Sequence, residues 1–406
     1  MSHGGSPRRP WVTRGVVGIV LATFFSDVAH EAATAVLPLY LTSLGLGAAA
    51  LGAVEGFADL VYSLSKLGGG VLGQRLERKQ PVVVAGYAIT GLCTAALALV
   101  HGVGSMIALR ASAWIGRGVR SPLRDFLLAD EVEPTHFGRA YGLERAADML
   151  GALVGPLLAI LCVWIGLSAR EIIAWTIVPA LVPVLAIWFL THDRRSEARA
   201  RTAPSRAPLP REFKQFLGGV VLFGLGDFSR TFLILLVARA LGESGQSTPA
   251  TLSIAVLFYV LHNGVSALAA YPIGKLGDRV SRPHLLCAGY GLGVVTNVVL
   301  AFGSHSIAWL VVAVVLSGVY IAAEETLEKA TGAELLPREA RSLGLGILGT
   351  ANAVGDMISS VGVGLLIEAG SPGLGFGLAA GVGALGTVWM IAFARRTSKG
   401  GEASGV

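Results

Sequence analysis

Apolar residues run along this chain in stretches of about 20 or more, the length a helix needs to cross the hydrocarbon core of a bilayer. Short pieces carrying the charges, glycines and prolines interrupt them. Twelve such stretches can be drawn, at 15–41, 47–73, 80–100, 106–128, 141–166, 172–190, 214–241, 250–274, 284–303, 307–330, 342–369 and 374–394. Several exceed the minimum, so tilted or bent helices are expected. The pattern predicts an all-α membrane protein with twelve transmembrane helices.

Composition agrees: 53% of the residues are hydrophobic, 14% are charged and the mean hydropathy is +0.67, against about 25% charged in an ordinary soluble domain. The charges fall in every second connection. Arg8, Arg9 and Arg14 precede the first span, Arg75, Arg78 and Lys79 follow the second, and Arg139 follows the fourth. Lys275, Arg279 and Arg282 follow the eighth, Arg338 and Arg341 the tenth, and Arg395, Arg396 and Lys399 the twelfth. Because Lys and Arg accumulate in cytoplasmic loops, both termini are expected in the cytoplasm, with the chain in the cytoplasmic (inner) membrane. The opening MSHGGSPRRPW is read as a retained tail. The net charge of +6 is then a topology signal, and no nucleic-acid partner is expected. Cys93, Cys162 and Cys287 lack metal-type spacing and read as small packing residues.

The segment 192–213, rich in Arg, Ala, Ser and Pro, has linker composition and divides the chain into an N-terminal half, 1–191, and a C-terminal half, 214–406. The halves repeat. Gly70, Leu72, Arg75 and Arg78 recur as Gly274, Leu276, Arg279 and Arg282, Ala85-Gly86-Tyr87 as Ala288-Gly289-Tyr290, and Pro134, Arg139 and Gly142 as Pro337, Arg341 and Gly344, while Asp27 has its counterpart in Asp227. GGVLGQRLERK at 69–79 and GKLGDRVSR at 274–282 resemble the loop signature of the major facilitator superfamily, Gly-x-Leu-Ala-Asp-Arg-x-Gly-Arg-Arg. The resemblance implies two pseudo-symmetric six-helix bundles and a secondary transporter without enzymatic activity. It also implies that Gly70, Arg75 and Arg78, and Gly274, Asp278, Arg279 and Arg282, belong to a loop that latches the outward-facing state. Gln74 replaces the first-half Asp and Glu77 a glycine, so the latch there is expected to be weaker or shifted to Glu77.

The fifth stretch carries Gly142, Gly151, Gly155 and Pro156, a spacing that resembles the superfamily's antiporter signature, although Ala159 and Ile160 replace its trailing glycines. It implies export rather than uptake. A plain packing helix is the competing reading. Arg110 resembles the arginine of a further export-associated signature, with Gly116 completing it and Ala113 and Trp114 departing from it.

Charges inside spans cost about 2.5–3.5 kcal/mol even by the lower scales, so they face cavities or partners. Asp27, His30 and Glu31 share one face of the first span; Glu55, Asp59 and Lys66 lie in the second. Arg110, Arg117, Arg120 and Arg124 form a stripe on the fourth. Glu144, Arg145 and Asp148 follow on the fifth, Asp227 and Arg230 on the seventh, Glu324, Glu325 and Glu328 on the tenth. Asp356 lies on the eleventh, and His262 with Asn263 on the eighth. Asp27, His30, Glu31, Arg117, Arg120, Asp227, Arg230, Glu324 and Glu325 are the expected substrate or proton-coupling residues. Arg124, Asp125 and Arg145 are the expected gate, with Asp125 placed to pair with Arg75 and Arg78. The cationic fourth and acidic tenth spans suit ion pairs between the halves.

The expected function is proton-coupled efflux of a small organic solute by a monomer in the bilayer, without a cofactor, driven by the proton gradient. Asp27, His30, Glu31 and His262 leave open a transition-metal or siderophore exporter. A non-transporting membrane receptor or a membrane enzyme is the remaining alternative, and no nucleophile with its base appears. GLGILG at 344–349 spells a dinucleotide motif but lacks the strand that motif requires.

Overall fold

A computed structural model describes residues 10–45, 48–193, 209–228, 232–233, 236–237, 240–241 and 248–403, with some side chains inside these ranges left out, among them those of Glu55 and Asp59. Arg230 and the central linker 194–208 lie outside the described residues.

Among the described residues the chain forms twelve helices and no strand. They are α1 (Arg14–Ser43), α2 (Ala48–Arg75), α3 (Gln80–Ala96), α4 (Val103–Glu131), α5 (Phe137–Trp164) and α6 (Ala169–Leu190), the last in two pieces that meet at Thr176. Then come α7 (Arg211–Gly224), α8 (Thr248–Gly277), α9 (Arg282–Gly303), α10 (Ile307–Leu335), α11 (Arg338–Glu368) and α12 (Pro372–Ala403). Several helices begin ahead of their apolar stretches, because charged residues such as Arg338 and Arg282 form the first turns in a polar zone that hydropathy does not register.

Among the described residues, eight helices are long and apolar enough to cross a membrane. α4 is not among them because Arg110, Arg117, Arg120 and Arg124 interrupt its apolar run, yet three of these are buried outright and Arg117 nearly so. Its charges are covered by protein instead of lipid. α7 departs from the expected continuous span 214–241. After Gly224 the backbone tightens to shorter bonds, Gly226 N–H to Phe223 O at 2.7 Å and Asp227 N–H to Gly224 O at 3.0 Å. The carbonyl of Gly226 accepts from buried Asn297 Nδ2 at 3.0 Å. Irregular backbone at membrane depth survives only where protein re-satisfies it.

Helices α1–α6 pack mainly on one another, α1 against α5 and α6, α4 against α2 and α3; α9 packs on α10 and α12, α8 on α10, and α7 on α11 and α12. Two main junctions join the groups, α5 with α8 and α2 with α11, with lesser contacts of α5 with α10 and α4 with α11. Glycine makes both possible. A Cβ on Gly138 or Gly274 would run into the other's carbonyl, one on Gly142 would sit 2.6 Å from Ala270 O, and one on Gly70 2.9 Å from Ser342 O. The repeated glycines 70 and 274 thus occupy equivalent crossings, and the fold brings the halves together at the end that carries the basic loops.

Replacing Gly274 with Leu should therefore force α5 and α8 apart. In a cysteine-free background, a thiol placed at Ala146, buried against Ala270 and Ala322, is expected to be protected in the parent and to react rapidly with maleimide in the Gly274→Leu variant.

Candidate functional site

The site is a stack of charged layers where the two helix groups meet, built mainly from α1, α4, α5 and α10. In the middle layer Asp27 of α1 takes Arg117 Nη1 at 2.7 Å, and the carboxyl of Asp148 on α5 lies within hydrogen-bonding reach of Asp27. Small residues allow this: a Cβ on Gly151 would sit 2.9 Å from the Asp27 Cβ, and one on Gly155 2.9 Å from that of Glu31. Arg145, one turn from Asp148, holds its carboxylate at 2.6 Å and reaches Glu325 of α10, also at 2.6 Å. One arginine thus joins the proton-holding candidates to the opposite half.

Above this layer, Arg110 donates to Thr34 at 2.8 Å, and the guanidiniums of Arg110 and Arg117 lie over the ring of Trp114. His30 meets the Trp114 ring edge-on at 4.9 Å. Arg120 turns the other way, donating to Ser26 at 2.9 Å with its guanidinium 3.6 Å from the Tyr87 ring centre.

The C-terminal wall uses neutral donors for its carboxylates. Asp227, seated in the break of α7, accepts from Tyr320 Oη at 2.5 Å and from Phe228 N–H at 2.9 Å. Glu328 accepts from Tyr290 Oη and from Asn352 Nδ2 at 2.7 Å. Glu324 is buried and Asp356 half-buried on the same side. Tyr87 and Tyr290 are repeat mates: one carries an arginine, the other binds a glutamate.

Toward the basic end, Arg124 holds Glu144 at 2.7 Å and Asp125 at 3.0 Å, and Lys329 of α10 reaches the same two carboxylates at 3.5 and 3.8 Å. At the rim Asp278, whose side chain is fully buried, accepts the N–H groups of Gly138 and Arg139 at 2.7 and 3.1 Å, and pairs with Arg139 and Arg282. No side chain of its own caps the N-terminus of α5. Asp278 supplies that cap from the other half, combining the capping bond, the helix dipole and two arginines. Arg282 continues to Glu334 at 2.6 Å and Pro134 O at 2.5 Å, while Arg338 grips Asp130 with two bonds of 2.6 and 2.8 Å.

The sequence expectations are met unevenly. Asp125 does not pair with Arg75 or Arg78, which project into solvent because α2 ends there; Arg124 and Lys329 take it instead. Glu77 is likewise exposed, so no latch forms on it among the described residues, and the first-half junction is tied by Arg338 and Asp130. Arg279 is exposed too, leaving Asp278 and Arg282 as the working members of the second signature. The four-residue metal set is not assembled: His30 lies against Trp114 and His262 bonds Ser317 at 3.1 Å within the other half, and among the described residues no three His, Cys, Asp or Glu gather as a metal site. Sequence reasoning missed Lys329, Asp130 and the pairing of Asp148 with Asp27. Lys329 lies beside a run of glutamates that masks its sign, and Asp130 sits where a span was expected to have ended.

Sequence comparison places this architecture. The Major Facilitator Superfamily model matches residues 19–242 and 216–405. The chain belongs to the major facilitator superfamily. It is a multi-pass membrane transporter and not an enzyme. An MFS-type transporter of Methanocaldococcus jannaschii is 24% identical over 87% of this chain and 89% of its own length. The multidrug resistance protein MdtH of Klebsiella pneumoniae is 23% identical over 82% of this chain and 81% of its own. A bacterial homologue of the iron transporter ferroportin, solved in an outward-facing state, superposes with a TM-score of 0.73 at 15% identity, covering 94% of this chain and 99% of that one.

Removing the trans cap should loosen the basic end. Asp278→Ala is expected to lower stability by about 3–5 kcal/mol, the cost of breaking a buried, multiply bonded ion pair. Thermal unfolding in detergent should show Asp278→Asn, which keeps an acceptor for the α5 N–H groups, in between.

Proposed function

We propose that this transporter exports a small organic solute in exchange for protons, by alternating access between its halves 1–191 and 214–406. The observation that carries the reading is the Asp27–Asp148 pair held between Arg117 and Arg145. Two carboxyls that share a hydrogen bond hold one proton between them. While the basic end is closed, Arg145 divides its charge between Asp148 and Glu325, and the proton stays on the pair. Opening that end separates Arg145 from Glu325. Arg145 then belongs to Asp148 alone, both carboxylates are compensated, and the proton leaves.

The positive-inside rule puts the basic end in the cytoplasm, so a proton taken from outside is delivered inside as the solute moves outward. α5 is the natural moving part, because its glycines seat it against α1 at one point and α8 at another. The spacing of those glycines and the likeness to a multidrug resistance protein support export. Asp227, Glu324 and Asp356 offer the solute an acidic wall opposite a cationic one, which suits molecules with a positive or mixed charge.

The test is flux in proteoliposomes, with a solute selected by thermal stabilisation of the purified protein. Asp27→Asn with Asp148→Asn is expected to abolish accumulation driven by a pH gradient while leaving solute exchange without a gradient. Gradient-driven accumulation equal to the parent's would overturn the coupling assignment.

A further inference from the structure

Behind α1, on the face turned away from the other half, α1, α3 and α6 enclose a cavity of about 10 Å³ lined by Ser26, His30, Tyr87, Thr90, Thr94 and Thr176 with small apolar residues between them. Space of that size admits a single water or one ion of similar radius. Three of its polar atoms, His30 Nδ1, Tyr87 Oη and Thr94 Oγ1, are fully buried and have no hydrogen-bond partner among the described residues. Such atoms cost about 1–3 kcal/mol each when left unmet. Thr90 and Thr176 spend their hydroxyl protons on Gly86 O and Ile173 O, each at 2.7 Å. Ser26 accepts from Arg120, so its own proton is available to the cavity.

Charge decides between the possible occupants. Arg120 is 2% exposed, and among the described residues no carboxylate pairs with it. In the same stripe Arg117 holds one carboxylate and Arg124 two, and Arg120 has instead the Ser26 hydroxyl and the face of Tyr87, both of which also line the cavity. A buried guanidinium without a counter-ion costs several kcal/mol. Among the described residues no carboxylate lines the cavity, so a cation there would find no negative charge to offset its own beside Arg120. The groups that face it, the hydroxyls of Ser26, Tyr87 and Thr94 and the His30 ring nitrogen, can all donate at once to one acceptor. A water accepts only two of those bonds and leaves the charge.

We propose that this cavity is a binding site for a small monovalent anion of halide size, the counter-ion of Arg120, held by Tyr87, Thr94, Ser26 and His30. The anion ties α1 to α3 and α6 from behind, while Asp27 one residue away works at the front. The proposal goes beyond the transport reading and does not rest on it.

The experiment is thermal unfolding of the purified protein in sodium chloride, bromide or gluconate at equal ionic strength. Chloride and bromide are expected to raise the midpoint by about 2–5 °C over gluconate, saturably, as ligand linkage requires. The double variant Tyr87→Phe with Thr94→Val, which removes two unmet hydroxyls, should keep its midpoint in gluconate and lose the halide increment. Crystals of the parent grown in bromide provide a readout that does not depend on any variant, with an anomalous peak expected between His30 and Tyr87. Equal midpoints in all three salts, a halide increment that survives in the double variant, or an ordered water without anomalous signal would each overturn the proposal.

Discussion

A charge inside a membrane protein must be compensated by protein, because the surrounding hydrocarbon offers neither dipoles nor counter-ions. Most of the interior of this chain answers to that requirement. The N-terminal half carries an arginine stripe and the C-terminal half a set of carboxylates, and neither half balances its own charge fully. Arg145 crosses to Glu325, Lys329 crosses to Asp125 and Glu144, and Arg338 crosses to Asp130. Each half offers the other charges of both signs: the N-terminal half extends Arg145 to an acid of its mate, and its own acids receive Lys329 and Arg338 in return. Carboxylates that stay within the C-terminal half are met by tyrosine hydroxyls, an asparagine and backbone N–H groups instead.

Close backbone approach makes those crossings short. The glycines at 70 and 274 sit at matched places in the two repeats and bring α2 onto α11 and α8 onto α5. At the second crossing the approach lets Asp278 reach the N-terminal amides of α5. At the first, Gln74 has replaced the corresponding acid, and Arg338 with Asp130 carries the tie. The repeat preserves the backbone geometry and lets the charges diverge, as Tyr87 beneath Arg120 and Tyr290 beside Glu328 also show.

Much of this was legible in the sequence, since a span of apolar residues and a basic loop are local signals. The number of helices and the repeat could be read, and Arg124, Glu144 and Arg145 could be picked out as charges inside spans that need partners. Partnership could not, because it depends on helix rotation and depth. Asp125 was set against the wrong arginines, since the alternatives at 75 and 78 are close in sequence register but point outward. Lys329 was invisible because its importance comes from two carboxylates on other helices. The break at Gly224 escaped notice because an apolar run reads alike whether its helix is whole or interrupted; only Asn297 meeting the freed carbonyl reveals it.

If cross-half charge pairing holds the basic end shut, removing the C-terminal partners alone should open it. Spin labels at Thr135 and His284, both exposed and on opposite sides of the α5–α8 junction, report that opening by double electron–electron resonance. In the parent the distance distribution should be short and narrow; with Asp278→Asn, Glu325→Gln, Lys329→Gln and Arg338→Gln combined, a longer population is expected to dominate. A distribution unchanged from the parent's would contradict the account, leaving the glycine crossings and apolar contacts to keep that end closed.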